Sequence, residues 1–101
     1  MEIVKIYCFD IDGTICSNTD GDYMNAVPFH DRIAKINKLY EDGNKIIFYT
    51  ARGSTTGEKW ENLTLQQLNT WKIKFHELHL GKPTADIYID DKHKDLFNWF
   101  N

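Results

Sequence analysis

The stretch YCFDIDGTIC, residues 7–16, decides the fold: an apolar run ends on two acids one residue apart, Asp10 and Asp12, and Gly13-Thr14 follows at once. The run leading into it, Ile3 to Phe9, is nearly continuous in β-branched and aromatic residues, which predicts a strand covered on both faces. Lys45 to Tyr49 repeats that pattern, and Ile87-Tyr88-Ile89 repeats it in miniature. HELHL, residues 76–80, is short and alternating and predicts a further strand. Helical spacing fills the intervals. Residues 30–42 carry Ile33, Ile36, Leu39 and Tyr40 on one stripe and stop at Gly43. Residues 58–72 carry Trp60, Leu65, Leu68 and Trp71, and a last helix carries Leu96, Phe97, Trp99 and Phe100. The order βαβαββα predicts an α/β fold, Rossmann-like and three-layered (α/β/α), with a small, mostly parallel sheet. In such sheets ligands bind at the carboxyl ends of the strands.

Composition sets the bounds. The chain has 101 residues, 42% of them apolar and 14% aromatic, and this suits a single domain over residues 1–101. Twelve basic and fifteen acidic residues leave a net charge of −3 with no Lys/Arg run, so a nucleic-acid backbone is not the expected partner. No stretch approaches the ~18 apolar residues of a membrane span, and no targeting segment is recognisable, so the expected location is the cytoplasm. Cys8 and Cys16 fit free thiols in a reducing compartment better than a disulfide framework.

Each strand ends on polar residues. The first ends Asp10-Ile11-Asp12, the second runs into Thr50-Ala51-Arg52, and the fourth runs into Asp90-Asp91, with Gly81-Lys82-Pro83 shortly before it. A parallel sheet sends these endings to one edge, where several carboxylates cannot sit together uncompensated. A hard divalent cation such as Mg²⁺ resolves the repulsion, because it takes a few carboxylates and completes its shell with water and phosphate oxygens. Thr50 and Lys82 then face a natural partner in that phosphate. By position, Asp90 is the acid expected to touch the metal. Asp91 is expected to orient a metal-bound water or the lysine, and Asp95 to begin the last helix.

Asp10-x-Asp12-Gly13-Thr14, Thr50, Lys82 and Asp90-Asp91 resemble, in order, the four motifs of the haloacid dehalogenase-like (HAD) phosphohydrolase superfamily. YTARGS and GKPTADIYIDDK are similar to segments of small bacterial phosphatases of capsular polysaccharide or lipopolysaccharide biosynthesis. The resemblance implies Mg²⁺-dependent hydrolysis of a phosphomonoester through an aspartyl-phosphate, on a small metabolite such as a sugar or polyol phosphate. Asp10 is then the nucleophile and Asp12 the general acid and base, with its backbone carbonyl also on the metal. Thr50, the backbone near Ala51, and Lys82 hold phosphate, and Asp90 with Asp91 completes the metal site. Domain-sized caps in this family follow the first motif or lie between the second and third. Residues 13–29 and 51–81 leave no room for one. Closure then falls to the short segment between Thr14 and Pro28 or to a second copy of the chain, and the aromatic end LFNWF suits a homodimer face.

Rival readings attach to the same residues. Arg52 fits a substrate grip or an ordinary ion pair equally well. His30, His76, His79 and His93 lack zinc-site spacing and read as structural or solvated. Asp10 and Asp12 do not begin a calcium loop, because Ile15 and Gly21 stand where an EF-hand needs glycine and glutamate. A phosphoryl-accepting receiver domain carries its phosphoacceptor Asp on a middle strand, and here that strand ends at Thr50. A polynucleotide 3′-phosphatase remains the alternative within the family, against which the acidic composition weighs.

Overall fold

The computed structural model describes residues 4–52, 60–80, 86–89 and 99–100. Four strands, β1 (Ile6–Asp10), β2 (Lys45–Tyr49), β3 (Glu77–His79) and β4 (Ile87–Ile89), form one sheet in the order β3-β2-β1-β4. All three pairings are parallel. The sheet is a small parallel α/β sheet whose order matches the first four strands of a Rossmann arrangement. β1 starts later than the apolar run suggested, because Val4 is 57% exposed and its side chain has no core to enter. Ile6 opens the strand, its amide donating to Asp86 Oδ2 at 2.9 Å.

Two helices connect these strands, α1 (His30–Glu41) and α2 (Glu61–Thr70). Both end in the same way. At α1 the Gly43 amide donates to the Tyr40 carbonyl and the Asn44 amide to Leu39, with Gly43 at φ +97°. At α2 the Lys72 amide donates to Asn69 and the Ile73 amide to Leu68, with Lys72 at φ +58°. These paired bonds are Schellman motifs, which satisfy the last carbonyls by turning one residue left-handed. α1 buries Ile33 and Ile36, as its spacing predicts. α2 differs: its buried residues are Thr64, Gln67 and Leu68, and Leu65 is only half-buried. The stripe is rotated from the apolar one because the two polar side chains have a partner inside, described below. Of the predicted last helix, Trp99 and Phe100 are helical, and Leu96 and Phe97 lie outside the described residues.

The core is built around Phe9 on β1. Its ring meets Phe48, Trp99 and Phe100 at centroid distances of 5.9, 5.7 and 6.2 Å. Ile11, Ile15, Cys16, Ile33, Ile36, Ile46, Leu68, Ile73 and Ile89 complete the buried set. Removing one such side chain costs about 2–5 kcal/mol. Trp99 and Phe100 therefore serve the interior. Among the described residues no helix is long and apolar enough to cross a membrane.

Candidate active site

Strand register aligns the carboxyl ends. Asp10 pairs with Tyr49, and Phe9 pairs with Ile89, so β1, β2 and β4 end side by side. The order β3-β2-β1-β4 also reverses direction between β1 and β4, since the chain leaves β1 for β2 on one side and reaches β4 on the other. Such a reversal opens a crevice at the carboxyl edge, the common ligand position of parallel sheets. Asp10 stands at its rim, half-buried.

The chain then turns sharply. Thr14 and Ile15 amides both donate to the Ile11 carbonyl, at 3.1 and 3.0 Å, and the Gly13 amide donates to Cys16 at 2.8 Å. Gly13 takes φ +83°, a conformation that a side chain resists, which is why glycine follows Asp12. The turn holds Asp12 beside the strand end, and its carboxylate has defined partners. Arg52 Nε donates to Asp12 Oδ2 at 2.9 Å and Arg52 Nη2 to Asp12 Oδ1 at 2.8 Å, a two-point ion pair. Cys16 Sγ lies 3.7 Å from the same Oδ1.

Arg52 resolves the choice that the sequence left open in favour of the ion pair. Its side chain is 0% exposed, whereas that of Asp12 is 19% exposed. Its Nη1 donates to Thr64 Oγ1 at 3.1 Å and to Gln67 Oε1 at 2.6 Å. The guanidinium lies 4.5 Å from the Tyr23 ring centroid, and Gln67 Nε2 donates to the Tyr23 carbonyl at 2.6 Å. Tyr23 begins a short 3₁₀ turn, Tyr23–Asn25, and stacks edge-on with Trp60 at 5.0 Å. The guanidinium is thus engaged on three sides within the protein. Thr64 and Gln67 were missed in the sequence. Their signal was two polar residues on the same helical stripe as Leu68, at i, i+3 and i+4.

Thr50 follows β2 directly and is 2% exposed. Its amide donates to His79 at 3.1 Å, and its hydroxyl oxygen accepts the Arg52 amide at 3.0 Å, which fixes the hydroxyl at the sheet edge. Ala51 is exposed beside it. Thr14 Oγ1 is buried with no hydrogen-bond partner among the described residues. Lys82, Asp90 and Asp91 lie outside the described residues, as do Asp95 and His93. Among the described residues no cluster of three or more His, Cys, Asp or Glu is placed to hold a metal. The two acids present, Asp10 and Asp12, are oxygen donors, and that chemistry fits a hard cation such as Mg²⁺.

The other titratable groups have structural settings. Burial, reinforced by the Asp12 carboxylate, pushes the Cys16 thiol up to about 12, so it stays protonated and poorly nucleophilic. Both cysteines are buried and neither is in a disulfide. His76 accepts the Ile46 amide at its Nδ1 and stacks on Tyr40 at 4.6 Å, and His79 meets Glu77 at 2.8 Å. A cavity of about 260 Å³ lies between the Tyr23–Asn25 turn and α2, with Met24, Leu63, Gln67 and Trp71 among its walls. Neither Asp10 nor Asp12 lines it.

No family model matches the chain, and no curated protein matches it. Its fold is similar to the crystal structure of a target protein from Vibrio cholerae, with a TM-score of 0.75 and 23% identity over 97% of this chain and 89% of that one. It is also similar to the structure of a conserved protein from Bacteroides thetaiotaomicron, with a TM-score of 0.72 and 15% identity over 97% and 88% of the two chains. At these identities the likeness establishes the fold: a small α/β protein with a parallel four-stranded sheet.

Proposed function

We propose that this protein is a Mg²⁺-dependent phosphomonoester hydrolase of the HAD type, with helical layers on both faces of its sheet, no cap domain, and a small phosphorylated metabolite such as a sugar or polyol phosphate as substrate. The observation that carries the reading is the placement of Asp10 at the carboxyl end of β1 with Asp12 on the adjoining turn, beside the reversal between β1 and β4. Two acids on a rigid edge suit nucleophilic and acid–base roles, because each needs a fixed position relative to one phosphorus.

In this mechanism an Asp10 oxygen attacks phosphorus and the P–O bond to the substrate alcohol breaks. Asp12 gives its proton to the departing oxygen, so the alcohol leaves neutral. Water then attacks the phosphorus of the aspartyl-phosphate, Asp12 takes the water proton, and Asp10 is released with inorganic phosphate. Thr50 donates a hydrogen bond from its hydroxyl to the phosphate, the exposed backbone at Ala51 adds a donor, and Lys82 adds positive charge. Asp10, the Asp12 backbone carbonyl, Asp90 and Asp91 would hold the Mg²⁺ ion, which would supply positive charge between carboxylate and phosphate.

The test is phosphate release from a generic aryl phosphate in Mg²⁺, followed by a screen of sugar, polyol, nucleotide and oligonucleotide 3′-phosphates. Hydrolysis that EDTA abolishes and Mg²⁺ restores is the expected result. A rate indifferent to EDTA, or no release from any class, overturns the reading.

A further inference from the structure

Asp12 needs something that the turn alone does not give it. A carboxylate on a glycine-containing turn rotates about two side-chain bonds, and a proton-transfer group displaced by about 1 Å loses of the order of 10²-fold in rate. Here both oxygens are taken by one guanidinium, and that guanidinium is itself fixed from behind by Thr64 and Gln67. We propose that Arg52 is a positioning residue: a buried clamp that orients the Asp12 carboxylate and ties the Tyr23–Asn25 turn over it, in place of a cap domain. The inference rests on the hydrolase reading for its catalytic consequence, but the clamp is a property of the fold.

The contacts also specify which oxygen works. A carboxylate has about four lone-pair sites, two on each oxygen. Oδ1 receives Arg52 Nη2 and the Cys16 thiol, whereas Oδ2 receives only Arg52 Nε among the described residues. Oδ2 is therefore the atom that carries the proton to and from substrate. Lysine cannot replace Arg52, because an ammonium is a point charge and cannot bridge two carboxylate oxygens while also reaching Thr64 and Gln67. Tyr23 completes the clamp from the other side. Its ring lies on the guanidinium and its carbonyl is held by Gln67, so one side chain of α2 joins Arg52 to the turn.

The experiment compares wild type with Arg52→Ala, Arg52→Lys, Thr64→Val and Gln67→Met; the last two keep the ion pair, Thr64→Val removing one rear support and Gln67→Met removing the other together with its bond to the Tyr23 carbonyl. With an aryl phosphate and Mg²⁺, kcat is expected to fall about 10²-fold for both Arg52 variants, with KM changed less than about 3-fold. Free guanidinium is expected to restore part of kcat in Arg52→Ala, and methylammonium none. Thr64→Val and Gln67→Met are expected to lose about 3- to 10-fold in kcat. Amide hydrogen exchange at residues 23–25 is expected to accelerate at least about 10-fold in Arg52→Lys and Gln67→Met, a readout that needs no activity. A rise in KM at constant kcat assigns Arg52 to substrate and overturns the proposal. Full activity in Arg52→Lys, or unchanged exchange at residues 23–25, overturns it as well. No phosphate release by the wild-type protein from any substrate class overturns the hydrolase reading instead, and the exchange measurement then decides the clamp by itself.

Discussion

Two arginines hold the turn between Asp12 and Thr14, and they hold it differently. Arg32, on α1, donates from Nη1 to the Thr14 carbonyl at 2.9 Å and lies over the Phe29 and Phe100 rings at 5.2 and 4.9 Å. Arg52, just after β2, grips the Asp12 carboxylate and lies over Tyr23. Both use the same physics: a guanidinium stacked on an aromatic face with its fork aimed at oxygen. One holds backbone and the other holds an ionisable side chain. The first therefore fixes where the turn is, and the second fixes what the turn presents.

The largest test of that division is at the strand end itself. Asp10→Asn is expected to lower turnover by at least about 10³-fold, since an amide does not replace a carboxylate nucleophile. Its thermal midpoint is expected to stay near that of wild type. Near-normal turnover in this variant moves the nucleophile elsewhere and removes the chemical half of the comparison.

Arg32→Ala probes the backbone half. It removes a charge-assisted hydrogen bond and two ring contacts, so urea unfolding is expected to show a loss of about 1.5–3 kcal/mol. Its kcat is expected to stay within about 3-fold of wild type once the protein is folded. A kcat loss as large as that of Arg52→Ala, with stability unchanged, breaks the distinction between the two arginines.

Cys16 sharpens the comparison, because its thiol touches the oxygen of Asp12 that Arg52 Nη2 holds. Its folded-state value, raised from 9.0 to about 12 by burial and then by Asp12, means that the unfolded chain loses the thiol proton first as pH rises. Stability from this group is complete below about pH 9 and falls between about pH 9 and 12, the sign expected when the native state binds the extra proton. Native protein at pH 8 is accordingly expected to leave Cys16 unlabelled by a thiol reagent for hours, and denatured protein to label at once. Rapid native labelling means that the turn opens far more readily than its hydrogen bonds imply.

The smallest effects belong to the helix ends. Gly43 and Lys72 occupy the same left-handed position of the same motif, but only Gly43 is a glycine. A Cβ on Gly43 meets nothing within 4 Å, so Gly43→Ala costs only backbone strain, about 1 kcal/mol. Lys72→Gly is expected to gain about 0.5–1 kcal/mol in the same urea assay. Equal and opposite shifts confirm that conformation alone separates the two ends.

These differences explain what could be read in advance. β1, β2 and β4 are apolar runs with no competing period, and Gly43 is a stop signal, so these elements were legible, as were Asp10, Asp12 and Thr50 at their ends. Strand order was not, because Phe9 carries no mark that it pairs with both Phe48 and Ile89. The clamp was hidden for a similar reason. Gln67 on a helix reads as solvent-facing until Arg52, fifteen residues away, is brought against it. Buried polar networks depend on partners that spacing alone does not reveal.

The pairing of β4 with β1 has a consequence for how the molecule is made. β1 meets β2 across a connection of ordinary length, whereas the bond from Ile6 to Asp86 spans 80 residues. Closing so long a loop adds little to its equilibrium cost, about 0.6 kcal/mol per doubling, but contacts this distant slow the search for the native state. A folding chain is therefore expected to pair β1 with β2 and α1 early and to dock β4 late. The crevice beside Asp10 has only one wall until then. An intermediate with its first two strands in place would hold Asp10, the proposed nucleophile, and is expected to have almost no activity, so recovery of hydrolysis during refolding is expected to lag behind recovery of helical signal.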